Sequence, residues 1–397
     1  MFDDFPPRQD AAPHPSEPLR PAPVAVTVEV VESYEGFRRL RPAWSALQER
    51  DPEMTVFLSW AWLDGAFRDN PGRWRIFVVR ARGEGGRALA ILPLAALGRW
   101  NAAEARLETV LTSAGRLIRS DYGGLLLDPE ADGVVFAALA RAIAARPWAE
   151  LVLHAEVAPY RARRLLGAFP SDRFSRQETG GVAAQRPTIA LPDSFETWLQ
   201  TAAKPSLARR IRHFTRRQLD AGRWRVEVTT PATFERDASL VAGLEGAPAD
   251  TQTVLANARK ADALLLLVLR EGDRPLGALA HVLDHEMDRV HAIIGGALDL
   301  DTGSSVGILL HAEAIRWAIA HGFAAYDFGR GASGYRQAFG ARDRTAPDLA
   351  LRRTDPAQAG FDRTCLGDGL RTVSALLREG DVSGAQAAAD QLAALVR

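Results

Sequence analysis

Among 397 residues there is one cysteine, Cys365, so neither an intramolecular disulfide nor a thiol zinc cluster can form, and a reducing cytoplasm is the expected compartment. Lysine is nearly missing too. Of 49 basic residues only Lys204 and Lys260 are lysines, which makes arginine the default solvated cation and an arginine cluster a weak signal. Basic and acidic residues balance at 49 each, so the molecule has no overall electrostatic reason to coat nucleic acid or an anionic membrane, and any basic site is local. No apolar run is long enough to span a bilayer; residues 264–269 fall far short. The chain also lacks a Gly-x-Ser-x-Gly elbow, a Walker loop and a dinucleotide fingerprint, which argues against hydrolase, NTPase and dehydrogenase readings.

What is present is an alternation of strand and helix patterns. Residues 1–24 are rich in proline and lack a positive head followed by an apolar run, so they are expected to be a disordered tail rather than a signal or anchor. Beyond them come a strand at 24–31 and a helix at 34–49 with Phe37, Leu40, Trp44 and Leu47 on one side. A strand pair follows at 74–79 and 88–96, then a helix at 131–145 and a strand at 150–154. The second half repeats the plan. A basic helix at 206–221 leads to a strand pair at 264–270 and 276–283, a third strand at 289–297, a glycine loop, a helix at 308–321 and a strand at 324–328. The expected fold is therefore a duplicated mixed α/β unit, with domains at 25–185 and 186–351. The remaining 352–397 reads as two alanine-rich helices, placed either on the second domain or against another copy in a homodimer.

Three segments carry candidate chemistry. In Gly303-Ser304-Ser305-Val306-Gly307 a loop runs into a helix N-terminus, whose free N–H groups and dipole favour phosphate; a plain serine-capped helix entry fits the same residues. Just after the following helix and strand, residues 326–340 gather glycines with Asp327, Arg330, Tyr335 and Arg336. There Tyr335 can protonate a departing sulfur, Asp327 can orient a nucleophile and the arginines can hold an anion. Asp327 and Arg330 can equally pair with each other. The third segment, 204–217, places Lys204, Arg212 and Arg216 around an amphipathic helix that suits a phosphorylated acceptor or a merely solvated face. Asp121 and Tyr122 hold the matching loop of the first half, where they can line the inter-domain cleft, Tyr122 as a substrate contact, or form a plain turn. His281 and His291 lie symmetrically about Glu286 and can face each other across a hairpin, where His291 or His281 would serve as general base; spacing supplies no third ligand, so no metal is expected.

Taken in order, Trp44-Ser45-Ala46-Leu47, residues 56–63 (VFLSWAWL), the arginine helix after Lys204, and residues 304–340 (SSVGILLHAEAIRWAIAHGFAAYDFGRGASGYRQAFG) resemble the CelD or BcsL type acetyltransferases of cellulose and exopolysaccharide biosynthesis, which group with the FemAB-like proteins. The resemblance spans roughly residues 26–351. It implies two tandem GNAT folds and transfer of an acyl group from acetyl-CoA or another acyl-CoA to an amine or hydroxyl of a small-molecule or lipid-linked sugar acceptor. It also implies that the 303–307 corner cradles the donor pyrophosphate. Two departures stand out: the Arg/Gln-x-x-Gly-x-Gly pattern of single-domain acetyltransferases is missing, and Arg336 replaces the family's usual lysine. From another functional class, a non-catalytic binding or scaffold module of a polysaccharide synthesis system remains the alternative; in it the donor groove would be plugged.

Overall fold

The computed structural model describes residues 25–83, 86–180, 184–298, 303–331, 334–355 and 358–396. The proline-rich 1–24 segment lies outside them. The first sheet runs through β1 (Val26–Val31), β2 (Trp74–Ala81), β3 (Ala88–Asn101), β4 (Arg106–Ser113), β6 (Glu150–Leu153) and β7 (Phe174–Thr179), with the short β5 (Leu126–Leu127) on β3. The second contains β8 (Gln185–Ala190), β9 (Trp224–Val228), β10 (Leu264–Glu271), β11 (Arg274–Asp284), β12 (Arg289–Ala297), β13 (Ala325–Asp327) and β14 (Arg342–Thr345). Each sheet is antiparallel until one parallel step, β4 beside β6 and β12 beside β13. This is the duplicated mixed α/β architecture expected from the repeated pattern.

Near these parallel steps the chain crosses between the sheets, and one strand of the second half returns to the first sheet. The consecutive strands β7 and β8 lie in different sheets, and so do β14 and the last strand, β15 (Asp348–Arg353). Strand β8 sits between β13 and β14 in the second sheet, while β15 sits between β6 and β7 in the first. The stretch expected to close the second domain thus completes the first sheet.

The C-terminal helices Leu366–Arg378 and Val382–Val396 pack on β3 and β4 of the first sheet, rather than on the second half. Leu376, Ala388 and Leu392 enter the same core as Leu107, Leu111, Leu349 and Leu351, and Cys365 is buried among them. Gln391 fixes the contact by accepting from the Leu107 N–H at 2.7 Å and donating to its carbonyl at 2.8 Å. Burial raises the Cys365 thiol pKa, which suits a packing role. Among the described residues no helix is long and apolar enough to cross a membrane.

Candidate active site

Strands β12 and β13 pair only over Arg289–His291 and Ala325–Asp327; β12 then continues to Ala297 while β13 stops. The sheet opens there. A groove of about 430 Å³ lies between the end of β12 with its neighbour β11 and the helix Gly303–Ala320, with Gly295, Gly296, Gly307, His311, Tyr335 and Arg210 on its walls. Gly295 is required by packing: a Cβ there would lie 2.5 Å from Leu279 Cδ1 and 2.7 Å from the Ala278 carbonyl. At Gly307 a Cβ would meet nothing within 4 Å, so this glycine leaves room in the groove itself.

Of the five residues expected to cradle a donor, Gly307 borders the groove. Ser305 is half-buried on the first turn of the helix, and Val306 sends its side chain into the second core. Residues 299–302, the approach to that helix, and Ala332 and Ser333 in the second glycine loop lie outside the described residues, as does the side chain of Ser304.

Tyr335, 60 % exposed, heads a chain of hydrogen-bonded groups that runs into the protein. Its hydroxyl lies 3.3 Å from His311 Nε2; His311 Nδ1 is 2.7 Å from the Tyr326 hydroxyl; that hydroxyl is 3.0 Å from His281 Nε2; and His281 Nδ1 is 3.2 Å from the Leu265 carbonyl. Chemistry fixes the direction of every proton. A carbonyl only accepts, so His281 carries its proton on Nδ1 and accepts from Tyr326 at Nε2. Tyr326 then accepts from His311 Nδ1–H, and His311 Nε2 accepts from the Tyr335 hydroxyl. Both imidazoles must be neutral for this pattern, and burial lowers His281 to about 4 and His311 to about 3.

Asp327 and His291, expected as reacting groups, and Tyr122, expected as a substrate contact, lie away from the groove. All three are buried between the halves and border neither the groove nor the adjoining cavities. His291 lies 3.5 Å from Asp284 through Nε2 and 3.5 Å from Asp327 through Nδ1. Tyr122 donates to Asp327 at 2.5 Å and Thr55 donates to Asp284 at 2.6 Å, so two groups of the first half hold two carboxylates of the second. Burial opposes the charge on His291, but the flanking carboxylates prevail and raise it to about 9. Asp327, despite its burial, is held at about 2 by His291 and Tyr122. This cluster is an interdomain latch.

His281 and His291 do not face each other. Their strands pair His281 with Ala292 and Val282 with His291, after a bulge between Ala280 and His281. That register is one residue from the symmetric one, and one residue turns the two rings to opposite faces. The other expected contacts also separate. Arg212 pairs with Glu196 at 2.6 Å, Lys204 and Arg216 are exposed away from the groove lining, and Arg210 is the cation of that helix which borders the groove. Arg330 pairs with Asp348 at 2.9 Å instead of with Asp327, and Arg336 reaches the Arg330 carbonyl at 3.5 Å beside the Tyr335 ring. His311 was not expected, because it lies in an otherwise apolar helical run and reads as core. Among the described residues no group of three His, Cys, Asp or Glu side chains is arranged to hold a metal.

Comparison with known proteins places residues 205–337 under the family model described as an acetyltransferase (GNAT) domain. No curated protein matches the chain. The solved structure of FemX is similar over 78 % of this chain and 95 % of its own, with a TM-score of 0.54 and 9 % identity, which is a likeness of fold. The C-terminal (DUF2156) domain of a putative lysylphosphatidylglycerol synthetase from Agrobacterium fabrum gives a TM-score of 0.48 at 10 % identity, over 86 % of this chain and 97 % of its own. A tandem GNAT protein from the clavulanic acid biosynthesis pathway gives 0.42 at 11 %, over 84 % and 99 %. The chain therefore has a FemX-like fold of two mixed α/β sheets, with a GNAT domain match in its second half and a C-terminal helical extension.

Proposed function

We propose that this chain is an acyltransferase that moves an acyl group from acyl-CoA, acetyl-CoA being the simplest, to an amine or hydroxyl of a sugar-derived or cell-envelope acceptor. The observation that carries the reading is the open groove beside β12 with Tyr335 at its wall. An open groove also favours catalysis over the scaffold alternative, which needs it plugged. In this reading the thioester lies along the Gly295–Gly296 edge of β12, where the absence of side chains leaves the backbone accessible. The diphosphate lies toward the N-terminal turn of the helix Gly303–Ala320. The acceptor attacks the thioester carbonyl directly; a C–N or C–O bond forms, the C–S bond breaks, and the Tyr335 hydroxyl turns from His311 to protonate the sulfur. His311 keeps that hydroxyl at the groove wall between turnovers, and Arg210 supplies positive charge along the donor.

The test is calorimetric titration with acetyl-CoA. Gly307→Glu puts a carboxylate into the groove at a position with free space, and replaces a helical glycine, so the fold should be kept and even stabilised by a few tenths to about 1 kcal/mol. Donor binding is expected to weaken at least about tenfold through like-charge repulsion. Equal affinity in both proteins, or none in the wild type, would remove the donor site from this groove. Once an acceptor is in hand, Tyr335→Phe is expected to lower kcat by about 10²-fold while leaving donor affinity unchanged. An undiminished kcat would exclude the tyrosine as proton donor.

A further inference from the structure

Behind β12, on the side away from the donor groove, two further cavities follow one another between the halves. The first, about 300 Å³, shares Gly295 with the groove and is bordered by Arg119 and Asp121. The second, about 380 Å³, shares Arg119 and Asp121 with the first and adds Arg116, Arg186, Arg330 and His154. Shared walls thus set the three spaces in sequence, with Gly295 between the groove and the first cavity and Asp121 before a chamber where four guanidinium groups face only Asp121 and Asp250 among the lining carboxylates.

Arg116, Arg119 and Arg330 are exposed at the chamber's rim, and Arg186 anchors it from within. Arg186 is buried with its guanidinium 5.7 Å over the Tyr122 ring. Asp250 holds Arg119 at 2.6 Å, and Asp348 holds Arg330 at 2.9 Å with His154 Nδ1 3.1 Å away, so these side chains are oriented around the space. Arg116 has neither ion pair nor hydrogen bond among the described residues. At the junction of the two cavities, Asp121 keeps one carboxylate oxygen, Oδ2, buried and without a hydrogen-bond partner. A buried acceptor atom left unmatched by protein donors needs a donor from elsewhere. A ligand N–H or O–H placed there meets that need.

We infer that these joined cavities are the acceptor site, and that the acceptor carries its nucleophilic amine or hydroxyl at Asp121 and an oxyanion, phosphate ester or carboxylate, among Arg116, Arg119, Arg186 and Arg330. The inference rests on the acyl-transfer reading for its order of events. The nucleophile attacks the thioester across Gly295 and passes its proton to the Asp121 carboxylate, while the sulfur takes the Tyr335 proton; both residues return to their starting states by exchange with water. Burial, followed by the nearby Asp327 charge, raises Asp121 to about 6, against the opposing influence of His291, Arg186 and Arg330. A carboxylate of that basicity is ionised at neutral pH and is a better proton acceptor than an ordinary one.

Three probes separate the possibilities: glucose 6-phosphate, glucuronate and neutral glucose, titrated by calorimetry into the wild type and into the double variant Arg116→Glu/Arg119→Glu. At least one anionic sugar is expected to bind, with glucose silent and the affinity falling at least about tenfold in the double variant. Which anion binds tells phosphate from carboxylate. Acetyl-CoA titrated into the same two proteins should bind both equally, which also shows that the variant is folded. Failure of both anions to bind the wild type, or binding that survives charge reversal, overturns the site. If the anions behave as expected but acetyl-CoA binds neither protein, the anion site stands and the acyl-transfer reading falls. With an anionic amino sugar as acceptor, Asp121→Asn should remove the rise of kcat/KM through about pH 6; a rise that persists overturns the role of Asp121.

Discussion

A chain ended at Thr345 is expected not to fold. It lacks β15, which pairs with β6 on one side and β7 on the other, so both of those strands lose a full ladder and the first sheet is split. It also lacks the apolar residues that close the first core. Leu349, Leu351, Phe361, Leu376 and Leu392 are all less than a tenth exposed, and their burial contributes on the order of 10 kcal/mol at about 2 kcal/mol each. That matches the whole stability of a typical domain, about 5–15 kcal/mol. Circular dichroism with urea unfolding should find no cooperative transition in the shortened chain. Ending it at Thr354 instead restores β15 and removes only the later core residues, so a weakened but cooperative transition is expected. Wild-type midpoints for both chains would show that the returning strand is dispensable.

The second large effect is expected from His291→Ala. The imidazolium stands between Asp284 and Asp327 with no solvent access, and its loss leaves Asp284 without its cation and Asp327 with only Arg289, at 3.9 Å. Removing one partner of a buried pair costs about 3–5 kcal/mol. The pH dependence has a definite sign. His291 is raised to about 9 from an ordinary value of 6.5, so its contribution is full below about pH 6.5 and is lost as pH rises through about 9. Asp327 is lowered to about 2 from 3.8, so its contribution is full above about pH 4 and is lost as pH falls through about 2. Urea unfolding from pH 5 to 10 should show the alkaline decline in the wild type and not in His291→Ala. A decline of the same size in both would mean that another group titrates there.

The repeating pattern of hairpin, glycine loop, helix and strand was enough to read the duplication and the mixed sheets. The crossing between sheets was not readable in the same way. Residues 174–190 and 342–353 are each two short strands with a brief link, and local pattern cannot say that such neighbours part company into different sheets. Tyr335 stood out because it sits among turn residues. His311 did not, because in GILLHAEAIRWAIA a histidine on an apolar helix looks like core until Tyr326 and Tyr335 arrive from a distant strand and loop. Asp327 and His291 attracted attention as chemically able side chains, yet their neighbours across the interface, Tyr122 and Thr55, lie more than 150 residues away in sequence. Burial turned a plausible acid–base pair into a latch. The basic chamber had no motif at all, since its arginines come from separate segments in a chain where arginine is everywhere.

Two halves joined by one linker can swing apart like a jaw. Here the backbone crosses from sheet to sheet twice, through β7 to β8 and through β14 to β15, and at each crossing one strand, β8 or β15, is paired on both edges. The second crossing has only Ala346 and Pro347 between its strands, so a wide opening would have to pull a strand end out of its ladder. The space between the halves is accordingly a slot of set width, and a molecule that enters it is selected by how it fits that slot, not by how tightly the protein closes over it.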